Sequence, residues 1–355
     1  MRRLLVVLLV LGLATVVVRG AVPCETLRTQ PACYVALTPG PTEDAMGLVE
    51  IEGQSTYRSS GELRLTTVAV DEELDLRGWL RASLSGTVEA LPREVLFPAD
   101  RGREEVTREN ALLMADSQLT ATLSALERLG FEVDGAFDGA EVVEVLADAA
   151  TDALEEDDVI VAVDGTDTPR SEDVVAAVGA VAPGDELTLR VRRDGEMREV
   201  RVTPGAAPDD PDRAFLGVLL RTAFDLPVDV RIDAGVIGGP SAGLMFALSV
   251  LDLLDPDDLT GGAVVAGTGT VDREGNVGAV GGVPQKVAGA AAVSGDRRPA
   301  TVFLVPAGNI EDARSVPVPR DLLLVPVETL DDAVAAMEDL RAGREPAGAL
   351  ALRGD

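Results

Sequence analysis

Histidine is missing from all 355 residues, and lysine occurs once, at Lys286. The other 30 of the 31 cationic side chains are arginine. Without histidine the chain cannot build a Ser-His-Asp triad. With only two cysteines besides, it has no zinc site of the usual kind, and neither a metal nor a cofactor is expected. Basic charge is scarce as well. A net charge of −30 and a pI near 4.3 leave no cationic stripe to neutralise phosphates, and 3% aromatics leave few platforms for stacking bases, so nucleic acid is excluded as a partner. The acidic excess reads as a solvated surface that keeps the chain soluble.

What is present centres on the lone lysine. Arginine replaces a surface lysine in most roles but stays protonated, whereas an amine can release its proton and act as a base. A codon bias against lysine would leave the same composition, so the neighbourhood has to decide. Gly281-Gly282-Val283-Pro284-Gln285-Lys286-Val287-Ala288 reads as a glycine turn followed by a helix with Pro284 at its first position. An amine in that first turn faces the positive end of the helix dipole in an apolar sequence. Both effects push its pKa down, toward the neutral amine that a general base requires.

The candidate nucleophile is Ser241, 45 residues earlier, in Ile237-Gly238-Gly239-Pro240-Ser241-Ala242-Gly243. A glycine-proline loop precedes it, and a stretch apolar on nearly every side, as in a buried core helix, follows to Leu254. The free N–H groups of such a helix start can hold an oxyanion, with Gly238, Gly239 and Pro240 shaping the loop. An ordinary capping serine would have the same position. A phosphate-binding loop would need lysine beside the glycines, and the sole lysine lies elsewhere, so nucleotide binding is not expected.

Together, Gly-Pro-Ser-Ala-Gly and the later Gly-Gly-Val-x-x-Lys resemble the active site of Lon-type serine proteases, which use a Ser–Lys dyad. Between them, Ala266-Gly267-Thr268-Gly269-Thr270-Val271 through Asn276-Val277 is similar to that family's Thr-Gly strand and hairpin. Beyond the lysine, Val302-Phe303-Leu304-Val305-Pro306-Ala307-Gly308-Asn309 resembles its strand ending in a Pro-x-x-Asn loop. The resemblance implies Ser241 as nucleophile, Lys286 as base and Thr268 as the hydroxyl that orients the amine. It also implies a hexameric ring and polypeptide substrates. Lon proteases are usually fused to an ATP-driven unfolding module, for which these residues supply no Walker lysine, so cleavage without ATP is expected.

Arg2 and Arg3 precede an apolar run from Leu4 to Val18, ended by Arg19. This is a targeting pattern, read as an uncleaved anchor over residues 1–22 in the cytoplasmic membrane. It is short beside the typical span of about 20 apolar residues, although Gly20 to Val22 extend it. The body would then lie outside the cytoplasm, where Cys24 and Cys33 could close a small disulfide loop or remain two thiols.

From Phe137 to Pro204 the pattern reads strand, short helix, strand, helix and a closing hairpin. Leu187–Arg193 and Glu196–Val202 flank Asp194-Gly195, a type I′ turn signal. Asp157-Asp158-Val159-Ile160 through Asp164-Gly165, with Pro183-Gly184-Asp185, looks like a bacterial PDZ domain. The resemblance places a carboxylate-binding loop at Phe137-Asp138-Gly139-Ala140. Asp138 and Glu141 would repel a carboxylate, so peptide capture and a purely architectural role both stand.

The whole layout is similar to membrane-anchored PDZ-Lon proteases of bacteria. The expectation is therefore an α+β chain: anchor 1–22, mixed N-terminal region 23–130, PDZ domain 131–205, linker 206–213, Lon proteolytic domain of ribosomal-protein-S5-domain-2-like fold 214–345, and tail 346–355. An idle scaffold presenting peptides, or a signal-peptidase-like enzyme, are the alternative functions.

Overall fold

Leu63 and Leu65 are fully buried although they lie just over 200 residues from the apolar strand they pack beside. The computed structural model shows why. It describes residues 33–353 apart from 73, 75–77, 79–81, 83–84, 98–101, 134–136, 147–148, 150–152, 209, 225, 236, 293–297 and 319–320. The first segment contributes β1 (Tyr34–Asp44), β2 (Val49–Glu52), β3 (Glu62–Asp71), β4 (Glu89–Pro92) and the 26-residue helix α1 (Arg103–Arg128).

The middle segment holds β5 (Phe137–Val145), β6 (Val159–Val163), β7 (Thr166–Asp167), helix α2 (Ser171–Gly179), β8 (Leu187–Arg193), β9 (Glu196–Val202), β10 (Gly205–Ala207), β11 (Asp210–Phe215) and β12 (Val218–Phe224). The last runs through β13 (Asp229–Ile232), α3 (Gly243–Leu254), β14 (Val264–Gly267), β15 (Thr270–Val271), β16 (Val277–Gly278), α4 (Val283–Ala291), β17 (Val302–Pro306), β18 (Leu322–Val327), α5 (Leu330–Arg341) and β19 (Leu350–Leu352).

One seven-stranded sheet, ordered β19-β18-β17-β14-β3-β1-β4, spans the first and last segments. Its centre is parallel: β14 lies between β3 and β17, with Val265 opposite Leu63 on one side and Val302 on the other. Leu63, Leu65, Met114, Ala121 and Ala125 share one core with α3, Val265 and Leu304. Residues 23–130 are therefore not a separate region, as far as they are described. They supply three strands at one side of the seven-stranded sheet, β3, β1 and the edge strand β4, and the helix laid over α3. Residues 346–355 likewise are not a tail, since β19 closes the sheet edge antiparallel to β18.

The middle segment is a second unit inserted into the first. Its sheet runs β12-β5-β6-β8-β9, around a core of Val142, Ile160, Val174, Leu187, Leu189 and Val191. The hairpin at Asp194-Gly195 has both residues at positive φ, 53° and 77°, as a type I′ turn requires. The expected linker 206–213 is a hairpin of β10 and β11, and the chain leaves the unit only after Phe224. The cause is the pairing of β12 with β5, which composition does not announce.

The anchor expected over 1–22 lies outside the described residues, as does Cys24; Cys33 is disulfide-bonded. Among the described residues no helix is long and apolar enough to cross a membrane.

Candidate active site

The Ser241 loop is built by its two neighbours. Upstream, β13 pairs with β2, and Asp233 N–H donates to Leu48 C=O at 2.9 Å, so the chain enters from a fixed point. Downstream, every residue of α3 from Gly243 to Asp252 is buried. At about 1.5–3 kcal/mol for each large side chain removed from water, that burial anchors the helix firmly. Ser241 itself lies in a short 3-10 turn over Pro240–Ala242, half-buried at the entry to α3. Gly239 has φ 84°, a conformation that favours glycine.

Lys286 is carried into the same place by α4, whose preceding Gly282 has φ 70°. Asn309, buried at the end of β17, grips the approach to that helix. Its Oδ1 accepts from Val280 N–H at 2.8 Å, and its Nδ2 donates to Val280 C=O at 3.1 Å. The Pro306-to-Asn309 loop thus positions the lysine's turn.

Lys286 Nζ donates to Ser241 Oγ at 2.8 Å and to Thr268 Oγ1 at 2.9 Å. Thr268 Oγ1 in turn donates to Ser241 C=O at 3.0 Å, and Gly269 N–H donates to the same oxygen at 2.9 Å. The three residues named from sequence are therefore in mutual contact. Burial pushes the Lys286 amine down from its usual 10.5 to about 8.

Two contacts from α1 hold the Ser241 loop, and neither is legible in the sequence. Asn110 C=O accepts from Gly239 N–H at 3.0 Å, and Ser117 Oγ donates to Pro240 C=O at 3.0 Å. The Gly239 N–H is thereby engaged, and proline has none. Of the expected oxyanion donors, the N–H groups of Gly238 and Ser241 remain.

A cleft of about 880 Å³ opens over Ser241 and Lys286. Leu37, Leu48, Val68, Met114 and Ile237 line it, with Glu43 and Asp233 among its acidic groups. Strand β3 pairs with β14 only through Leu65, so its outer half, Thr66 to Val70, runs along the cleft without a strand on that side among the described residues.

The expected carboxylate loop, Phe137 to Ala140, takes another form. It is the first part of β5, paired with β12 through Phe137↔Phe224, Gly139↔Ala223 and Ala140↔Thr222. Gly139 N–H donates to Pro169 C=O at 3.0 Å, and Asp138 is ion-paired with Arg192. A terminal carboxylate would meet neither a free loop nor the Gly139 donor.

Comparison with known proteins finds two families in this chain. Residues 127–203 match the PDZ domain family, and residues 222–338 match the Lon protease (S16) C-terminal proteolytic domain. A Lon protease of Phenylobacterium zucineum is 32% identical over 181 residues, 50% of this chain and 22% of that protein. A probable periplasmic serine endoprotease DegP-like of Halomonas elongata is 37% identical over 98 residues, 25% of this chain and 21% of that protein. The crystal structure of the PDZ domain of an SdrC-like protein from Listeria monocytogenes aligns at 20% identity with a TM-score of 0.23, covering 25% of this chain and 93% of that one. The chain spans about a fifth of the length of the curated relatives it matches.

Proposed function

Proceeding from a PDZ domain joined to a Lon-type proteolytic domain, which is what this chain contains, we propose that it is a serine endopeptidase working through a Ser241–Lys286 dyad without ATP. The observation that carries this reading is the 2.8 Å contact between the only lysine, itself buried, and Ser241 at the floor of the cleft. With the amine neutral, that contact runs the other way: Ser241 O–H donates to the Nζ lone pair. The remaining Nζ hydrogens stay directed at Thr268, whose own hydroxyl is committed to Ser241 C=O.

Attack of Ser241 Oγ on a peptide carbonyl passes its proton to Lys286, and the ammonium then protonates the leaving amine. Water, activated by the same amine, releases the acyl group. The N–H groups of Gly238 and Ser241 face the developing oxyanion in this reading. An extended substrate adds beside Thr66–Val70 as a strand, which requires an unfolded or flexible polypeptide. The disulfide at Cys33 and the arginine-led apolar run support placement of the body at the outer face of a cytoplasmic membrane.

The test is hydrolysis of an unfolded protein by the full chain without nucleotide, comparing wild type with Ser241→Ala and Lys286→Arg. Both variants are expected to lose at least a thousandfold in kcat/KM. Equal activity in Lys286→Arg would refute the dyad, because arginine keeps the charge but cannot accept the proton.

A further inference from the structure

A second cleft, of about 730 Å³, lies beside the catalytic one and is lined differently. The two meet at the Gly281-Gly282 turn, which borders both. They also approach each other across the sheet, where Leu37 of the catalytic cleft stands opposite Glu89 of the second in the pairing of β1 with β4. The crossing is open: Gly281 is exposed, and nothing lies within 4 Å of the place a side chain would take there. In place of the apolar wall of the catalytic cleft, the second holds two carboxylates, Glu89 and Asp312, and the ring of Tyr34. Among the described residues no arginine or lysine lines it.

Gln285 is the sharper sign. It lines this cleft at 1% exposure, and its Oε1 has no hydrogen-bond partner. A buried acceptor left unpaired destabilises a fold, so its place beside the catalytic lysine points to a donor brought by a ligand. Two carboxylates, an amide oxygen and an aromatic ring, with no competing cation, suit a guanidinium, which offers five N–H donors and a flat face. On the Ser–Lys reading, on which this assignment rests, the Lys286 ammonium hands its proton to the leaving amine. The leaving segment must then pass over the lysine, and Gly282 and Gln285 of the second cleft belong to the start of the lysine's own helix. We propose that the second cleft is a subsite for the leaving segment of the substrate and takes an arginine side chain, its guanidinium held among Glu89, Asp312 and Gln285. Cleavage is thereby directed to bonds followed within a few residues by arginine.

The experiment follows the fluorescence anisotropy of labelled octapeptides on the full chain carrying Ser241→Ala, so that nothing is cut. One peptide is Ala-Val-Leu-Leu-Ala-Arg-Ala-Ala, and the other has glutamate in place of the arginine. The arginine peptide should bind at least tenfold more tightly. Adding Glu89→Lys should abolish that preference, and adding Gln285→Leu should weaken the arginine peptide at least threefold. Glu172→Lys, which changes net charge equally but lies on α2 of the inserted domain, should leave the preference intact. With Ser241 restored, the cut should fall on the amino side of the arginine. Equal binding of the two peptides, no binding of either, a preference untouched by Glu89→Lys or lost equally in Glu172→Lys, full affinity in Gln285→Leu, or a cut on the carboxyl side of the arginine would each overturn the proposal. Arginine-dependent binding without any cut would instead refute the Ser–Lys reading and leave a guanidinium site beside Lys286.

Discussion

Burial gives Lys286 a pH dependence of two kinds. In catalysis, the amine must be neutral to accept the Ser241 proton, so kcat/KM is expected to rise with pH through about 8 and level off above it. A pH profile that is flat from 6.5 to 9.5 would contradict this. In stability, the folded chain releases the Lys286 proton near 8 and the unfolded chain near 10.5. Between those values the unfolded state holds more protons, so the contribution of this site to stability rises with pH across that window; below it the cost of burying the ammonium is present in full. Lys286→Met is therefore expected to raise the urea midpoint at pH 7, with the advantage shrinking toward pH 10. Thr268 tests the orientation of the amine: Thr268→Val should lower kcat by at least tenfold with little change in KM, while Thr268→Ser should recover most of it.

Helix α1 is the element whose importance composition hid. Its face toward the nucleophile loop acts through one backbone carbonyl, at Asn110, and one small hydroxyl, at Ser117. Ser117→Ala should cost about 1 kcal/mol, the usual worth of one hydrogen bond, readable by denaturant unfolding. Gly243→Ala should cost more, about 1–3 kcal/mol, because a Cβ there would stand 2.9 Å from Ser117 Oγ and 3.0 Å from the backbone N of Val271.

The sequence made other elements plain for local reasons. The hairpin at Asp194-Gly195 follows from a two-residue turn and alternating strands, and α4 from a glycine, a proline and an apolar face. The pairing of β3 with β14 and of β12 with β5 was not legible, because these contacts join residues from about 80 to 200 positions apart and leave no local period. The same blindness applied at the site. Ser241, Thr268 and Lys286 stood out by residue type and spacing, but the N–H of Gly239 is engaged by a carbonyl that carries no side-chain signature.

At the scale of the whole molecule, the catalytic unit is discontinuous. Without β1, β3 and α1, the strand β14 would expose Val265 and the helix α3 would lose the face that packs on Met114, Ala121 and Ala125. A fragment of residues 214–345 is therefore expected not to unfold cooperatively, while a fragment of 33–353 should; thermal unfolding followed by circular dichroism distinguishes them.

The register of β5 against β12 has a consequence for how such a chain is assembled. Phe137 and Phe224 stand opposite each other, so the polypeptide enters and leaves the inserted domain at one point. Seen from the catalytic sheet, nearly ninety residues are topologically equivalent to a hairpin turn. Closing so short a gap adds little loop entropy, whatever the size of the cargo. Replacing residues 138–223 with a tight glycine turn should leave a folded catalytic unit, and other compact domains with adjacent ends should be accepted at the same junction. The insertion site is in this sense a socket, and the domain now in it is exchangeable on the timescale of evolution.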